Sequence, residues 1–284
     1  MFLIYIISFF FLLKERNKIF YMNDSSFLIA RIKDLAKKAL KENVFTSTTF
    51  LSLSEQAEVK KVLPSLNKEF LNELTFMFDG GNKENSDRKI LFIYPHFLNE
   101  YFKDYKIDKI SLIYLSPKNI KYSEKLTHRD FLGALMNLGY KRELIGDIIV
   151  NFNNPTEAII YIDSLIKDNI KNELTSVKHT YFKIEEISLL NPPFTPHFEF
   201  ISLYVSSLRI DNVIKEVFKL SRNDAQELIE KEYVFVNGLT ITSSSYILKK
   251  DDRVSIKSKG KFIFLDESSI NKKGKYHTLV KKYS

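Results

Sequence analysis

Ser207-Leu208-Arg209-Ile210-Asp211, Leu220-Ser221-Arg222-Asn223-Asp224-Ala225, Val234-Phe235-Val236-Asn237-Gly238, Asp251-Asp252-Arg253-Val254 and Lys257-Ser258-Lys259-Gly260-Lys261 follow one another within a single stretch ending at Phe264. Ile210, Val213, Ile214, Val217 and Phe218 fall on one face of a helix. Ser221 and Asp224 have the spacing of a capping box that opens a second helix, and Ala225, Leu228 and Ile229 supply its inward stripe. Asn237-Gly238 between two β-prone runs predicts a hairpin, since both residues tolerate positive φ. Asp251-Asp252 reads as a turn before a strand from Arg253 to Lys257. If that strand runs on through Gly260, Lys257, Lys259 and Lys261 emerge on one side. The expected unit is two short helices followed by a small sheet.

The cations stand outside this apolar pattern. Arg209 begins the first helix, and Arg222, Asn223 and Gln226 lie on the open side of the second. A helix start with free amides beside arginines suits phosphate, so a nucleic-acid backbone is the leading candidate ligand. From residue 201 to 284 there are 16 Lys+Arg against 10 Asp+Glu, so most of the net charge of +8 sits there. Such a domain attracts polyanions and releases them as salt rises.

Other classes of function find less support. Cysteine is absent, which excludes thiol nucleophiles, disulfides and thiolate metal sites. The five histidines are scattered without metal-ligand spacing. Neither a catalytic residue nor a metal, cofactor or small-molecule substrate is expected. Phe2–Leu13 is an apolar run of 12 residues, short of the about 20 a bilayer span needs. It lacks the flanks of a signal peptide, so residues 1–21 are expected to be an upstream reading-frame extension, with translation starting at Met22. A membrane anchor is the alternative.

The preceding chain predicts an α+β protein of three small domains. Residues 22–104 form an N-terminal α+β unit: a helix from Ser25 to Lys41, another from Ser54, and strands at Leu74–Phe78 and Ile90–Tyr94. Residues 105–190 read as strand, helix, strand, strand, helix, strand, the βαββαβ plait of ferredoxin-like and RNA-recognition-motif folds. The base-stacking aromatic signature of the latter is missing; Tyr114 and Tyr161 are assigned to packing. Residues 191–199 are a proline-rich linker, 200–266 the helix-helix-sheet domain, and 267–284 a basic arm or extra strand.

Arg-x-Asp, Leu-Ser-Arg-x-x-Ala, Val-x-Val-Asn-Gly and Asp-Arg-Val occur here in the order and spacing of the RNA-binding domain first known from small-subunit ribosomal protein four, the S-four domain, which residues 207–264 resemble. Carried over by position, Arg209, Ser221 and Arg222 are the implied RNA contacts. The chain departs from that pattern at Glu232-Tyr233, where a glycine is usual, and at Asp251, where Gly-Asp is usual. Phe78-Asp79-Gly80-Gly81 with Ser86-Asp87-Arg88, and His128-Arg129-Asp130-Phe131-Leu132-Gly133 with Arg142-Glu143 and Gly146-Asp147-Ile148, resemble signatures of the YlmH-type proteins; Asn82 and Asp87 replace the usual Tyr and Glu. Membership implies a bacterial, cytoplasmic RNA-binding protein with rRNA and tRNA as partners. It also implies association with the large ribosomal subunit in ribosome-associated quality control of stalled peptidyl-tRNA, and a genomic link to cell division.

Arg129, Lys141 and Arg142 are a candidate second RNA surface, whereas Thr127 or Asp130 is expected to cap a helix. Similar binding domains accompany pseudouridine synthases, so an RNA-modifying enzyme is one alternative; a membrane-tethered division factor is another. No Arg-Leu-Asp-type catalytic motif precedes the terminal domain.

Overall fold

The computed structural model describes residues 26–82, 85–265, 269–270 and 274–283. The apolar run at Phe2–Leu13 and the tail lysines Lys272 and Lys273 lie outside them. Among the described residues no helix is long and apolar enough to cross a membrane.

A helix over residues 26–42 (α1) is followed by Thr46–Leu51 (β1), Leu53–Glu69 (α2), Leu74–Asp79 (β2) and Lys89–Pro95 (β3). The strands form an antiparallel sheet in the order β1-β3-β2. The sequence pattern places the start of the second helix at Ser54. It starts one residue earlier, because Ser52 and Glu55 form a capping box. Strand β1 was not anticipated, since Thr46-Ser47-Thr48-Thr49 reads as polar; Thr46 and Thr48 are nevertheless buried, with their hydroxyls on backbone carbonyls.

After Phe102–Lys109 (α3), the chain runs through Ile110–Pro117 (β4), His128–Asn137 (α4), Ile145–Val150 (β5), Ala158–Asp163 (β6), Lys167–Glu173 (α5), Ser176–Val177 (β7) and Thr180–Ile187 (β8). The sheet order β5-β6-β4-β8, all antiparallel, is that of the βαββαβ plait, with β7 added at one edge. Two apolar runs, Ile90–Tyr94 and Ala158–Ile162, decide how the layers stack. A strand apolar at every position is buried on both faces. Leu91 and Ile93 face α1 and α2, while Ile90, Phe92 and Tyr94 face the second sheet. Ile159 and Tyr161 meet them from β6, and Ala158, Ile160 and Ile162 pack on α4 and α5. The result is helices, sheet, sheet, helices.

This stacking has a functional consequence. The open face of an RNA-recognition motif, where bases stack, is here covered by the N-terminal sheet. Tyr161 is fully buried, and Tyr114 packs edge-on against Phe194. Whatever binds the plait binds its rim.

The C-terminal unit begins with Phe198–Val205 (β9), then Ile210–Phe218 (α6), Arg222–Glu230 (α7), Val234–Val236 (β10), Leu239–Thr240 (β11), Arg253–Ile256 (β12), Gly260–Phe264 (β13), Ser269–Ile270 (β14) and Tyr276–Tyr283 (β15). All seven strands share one sheet, in which β15 lies between β13 and β9. One sheet face packs on α6 and α7 around Val213, Ile214, Val236, Val254 and Phe262.

Candidate nucleic-acid interface

The second face of this sheet is docked on the rest of the molecule. Asp87, in the loop before β3, accepts hydrogen bonds from Arg253, Lys261 and the Tyr283 hydroxyl (3.3 Å). Lys281 reaches Asn85 at 3.0 Å. At the hairpin tip Gly238 has φ 81°, and a Cβ there would meet the backbone of Leu53 and Ser54 in α2, 2.4 Å from the Ser54 nitrogen. Only glycine fits both the turn and this approach. Docking by the sheet leaves the helices turned outward.

On that outward side, Ser221 caps α7: its Oγ accepts from the Asp224 amide at 3.1 Å, and Asp224 Oδ2 accepts from the Ser221 amide at 3.2 Å. The serine hydroxyl is therefore committed to the helix. Arg222 and Asn223 are exposed and form no ion pair or side-chain hydrogen bond among the described residues; Gln226 is half-buried beside them. Glu227 pairs with Lys231, and Glu230 lies at the helix end. The start of α7 thus presents the free guanidinium of Arg222 beside the capping Asp224, and its end carries Glu230 beside the Glu227–Lys231 pair.

Arg209 is placed differently. It is the N-cap residue of α6, about 14 Å from the far end of that helix at 1.5 Å per residue. Its Nε and Nη2 donate to the two oxygens of Asp211 at 3.0 and 2.8 Å, and Nη2 also to Ser244 at 3.3 Å. Asp211 is buried, so the arginine, 35% exposed, is a clamped group. The Asp211 hydrogen bonds raise its pKa. Arg209 and Arg222 therefore do not form one patch of free guanidinium groups as the sequence suggested.

The expected row of lysines also fails. Strand β12 ends at Ile256, and Ser258 at φ 67° turns the chain before β13. Lys257 and Lys259 sit exposed at this hairpin tip, Lys257 over the Tyr233 ring at 4.7 Å. Lys261 is turned to the docked face, on Asp87 and over the Tyr283 ring at 3.9 Å. The two departures from the S-four pattern keep the shape glycine would give. Glu232 (φ 57°) and Asp251 (φ 67°) both adopt the left-handed conformation. At Glu232 the helix closes as a Schellman motif, Tyr233 N–H on Leu228 and Glu232 N–H on Ile229.

The candidate second surface divides as well. Arg129 and Lys141 are exposed, whereas Arg142 is held by Nη1 bonds to the Ile145 and Gly146 carbonyls. Burial and the neighbouring Arg88 push the Arg142 guanidinium down to about 10. Thr127 and Asp130 cap α4, the threonine amide and hydroxyl both donating to Asp130 Oδ2, and Lys178 pairs with the same carboxylate at 2.7 Å. The Lys178 and Thr127 hydrogen bonds hold the Asp130 carboxyl down at about 2. His128 points elsewhere, so it forms no His-Asp pair with Asp130.

What the sequence did not reveal is that its two scattered signatures meet. Asp87 and Arg88, from the first, join His128, Arg142 and Asp147, from the second, around a cleft of about 710 Å³. Asp147 accepts the backbone N–H groups of Asp87 (2.8 Å) and Arg88 (3.2 Å). Arg88 donates to the carbonyls of Ile145 (3.1 Å) and Phe50 (2.7 Å). Burial, reinforced by the Asp87 charge, pushes the Asp147 carboxyl up to about 6. Enclosure in the concave wall, then Arg142, Lys261 and Arg129, push His128 down to about 4 although its ring remains open to water. Lys261 and Tyr283 of the C-terminal unit close the cleft. The bonds that join the two signatures, Asp147 to the Asp87 and Arg88 amides and Arg88 to the Ile145 carbonyl, link residues 57 to 60 apart in sequence.

Two helices packed on a sheet, with an unpaired arginine at the start of the second, make a module suited to phosphate and mounted on an α/β/β/α body. Residues 99–191 match the family described as "Putative RNA-binding domain in YlmH", and residues 208–254 match the S4 domain. The chain thus carries a YlmH-type putative RNA-binding domain followed, toward its C-terminus, by an S4 domain. It is 29% identical over 204 residues to the ribosome-associated protein quality control protein P2 of Bacillus subtilis (strain 168), covering 70% of this chain and 74% of that one. A solved structure described as cell division protein ylmH from Streptococcus pneumoniae aligns with 59% of this chain and 93% of its own, at 20% identity and a TM-score of 0.46.

Proposed function

We propose that this protein is a non-catalytic factor that grips structured ribosomal or transfer RNA on the large ribosomal subunit, in the cytoplasm, during ribosome-associated quality control of stalled chains. The observation that carries this reading is the start of α7: an exposed Arg222 and Asn223, without partners among the described residues, on the face of the S-four unit turned away from the docked sheet. Support for the ribosomal setting comes from the quality-control relative of Bacillus subtilis. Two N–H groups at that helix start, the dipole and Arg222 together suit one or two phosphates. Lys257 and Lys259 at the hairpin tip add a second point of attachment. Arg209, clamped by Asp211, acts as a fixed charge that needs no ordering on binding. Such contacts recognise shape and backbone more than base sequence.

The experiment is co-sedimentation of the full chain with large ribosomal subunits. Arg222→Ala is expected to weaken pelleting at moderate salt, and Arg222→Glu to abolish it. Lys231→Ala, on the acidic end of α7, should change little. Equal pelleting of wild type and Arg222→Glu overturns the assignment.

A further inference from the structure

We propose that the three-way junction cleft is a second binding site, which takes one unpaired nucleotide: a planar base with its phosphate. The cleft's volume of about 710 Å³ lies in the range of small-ligand sites. It is not the module surface described above, since the start of α7 contributes nothing to its wall. It rests on the RNA-binding reading only for where the nucleotide comes from.

Three observations converge on it. At the cleft's edge the Phe152 and His197 rings lie parallel, 3.8 Å apart at 9°, and Phe152 remains 54% exposed. Such an exposed two-ring stack can be extended by a third flat ring, and base–aromatic stacking is tolerant of base identity. Asn82, also lining the cleft, is only 6% exposed, and among the described residues its buried Nδ2 has no hydrogen-bond partner. An amide donor in that position costs free energy until an acceptor arrives, and a base edge or phosphate oxygen supplies one. The charge, finally, is positive. Arg142 uses Nη1 on two carbonyls and makes no hydrogen bond through Nε or Nη2 among the described residues, and Arg88 lies beside it. Of the acids there, Asp87 is already paired with Arg253 and Lys261, and Asp147 is held by backbone amides. A neutral His128, with no hydrogen bond of its own among the described residues, completes the lining as donor or acceptor.

The backbone leading into Asn82 is sterically fixed. Gly81 (φ 86°) has room for no Cβ, which would fall 2.8 Å from the Tyr161 ring, and Gly80 would meet the Arg88 carbonyl at 2.3 Å. The Ser86 hydroxyl accepts from the Asn82 backbone N–H at 3.1 Å.

The probes are the four 5′-mononucleotides, titrated calorimetrically into the full chain, with inorganic phosphate as control. Binding in the range of 10⁻⁴ to 10⁻³ M is expected, weakened at least tenfold by Phe152→Ala and by Asn82→Ala in variants that keep the wild-type circular dichroism spectrum. Arg222→Ala, which tests the S-four surface, should leave mononucleotide affinity unchanged, so the two proposals fail separately. An RNA hairpin with one extruded base that displaces the mononucleotide, where a flush duplex does not, identifies RNA as the source; binding without such displacement identifies a free nucleotide. No heat with any mononucleotide at 5 mM, or phosphate binding as tightly as the nucleotides, overturns the proposal.

Discussion

Asp87→Asn keeps the side-chain shape but deletes the carboxylate on which Arg253, Lys261 and Tyr283 converge. Removing one partner of a buried ion pair costs about 3–5 kcal/mol, because the other charge is left buried. Arg253 is 17% exposed and Lys261 42%, so the lysine can return to water and the arginine cannot readily do so. The expected cost is therefore at or just below the lower bound, about 2–3 kcal/mol. The backbone amides of Asp87 and Arg88 still reach Asp147, so the loop should persist and the loss should fall on the docking of the C-terminal unit. With a urea m-value of about 1–3 kcal/mol/M, the midpoint falls by roughly 1 M or the single transition splits in two. The pH dependence follows from the sign of the shift. Burial pushes the Asp87 carboxyl up, but Lys261 and Arg253 outweigh it and hold it below its ordinary value. A depressed folded pKa gives stability that is present above the unfolded value near 4 and lost as pH falls through the folded one. The gap between wild type and variant should thus be full at pH 7 and close in acid. Equal urea midpoints at pH 7, or a gap that does not narrow as the pH falls into acid, would refute the reasoning.

Three further outcomes are expected. The His128 Cε1–H resonance should titrate with a midpoint of about 4, whereas Lys261→Ala should raise that midpoint by removing a neighbouring cation; a midpoint near 6.5 contradicts the cleft geometry. Glu232→Gly should stabilise the chain by about 0.5–1 kcal/mol, since the left-handed C′ position of α7 favours glycine, and a lower Tm would contradict it. Gly238→Ala should cost about 2 kcal/mol or more in denaturant titration, because both its φ of 81° and the approach to Ser54 oppose a Cβ; a neutral result would remove the hairpin tip from the interface.

The local signals in the sequence were sufficient wherever neighbours along the chain decide structure. Ser221 with Asp224 capped a helix, Asn237-Gly238 turned a hairpin, and the strand-helix order from Ile110 to Ile187 closed as the plait. Non-local packing hid the rest. Strand β9 shows apolar residues on both faces, Ile201 and Leu203 inward and Phe200 and Tyr204 outward, and its partner β15 lies 71 to 85 residues away. Helix α3 has no apolar stripe; its Phe102 and Tyr105 join an aromatic cluster with Phe45, Phe92 and Tyr94. The candidate site was legible in part. Arg222 and Asn223 stand exposed where the pattern put them, but Arg209 is clamped by a residue two positions on, and the lysine row is broken by a turn at Ser258. Charge and spacing identify a cation; they do not reveal which acid claims it.

The salt dependence of RNA affinity, measured for the full chain and for Arg222→Ala, tests the grip on phosphate at the start of α7 most directly. Each lost phosphate contact should reduce the slope of log K against log salt by about 0.7–0.9. The account predicts a shallower slope and weaker binding for the variant across different RNA sequences. Parallel lines of equal height would show that Arg222 touches no phosphate, and the proposed surface would be wrong.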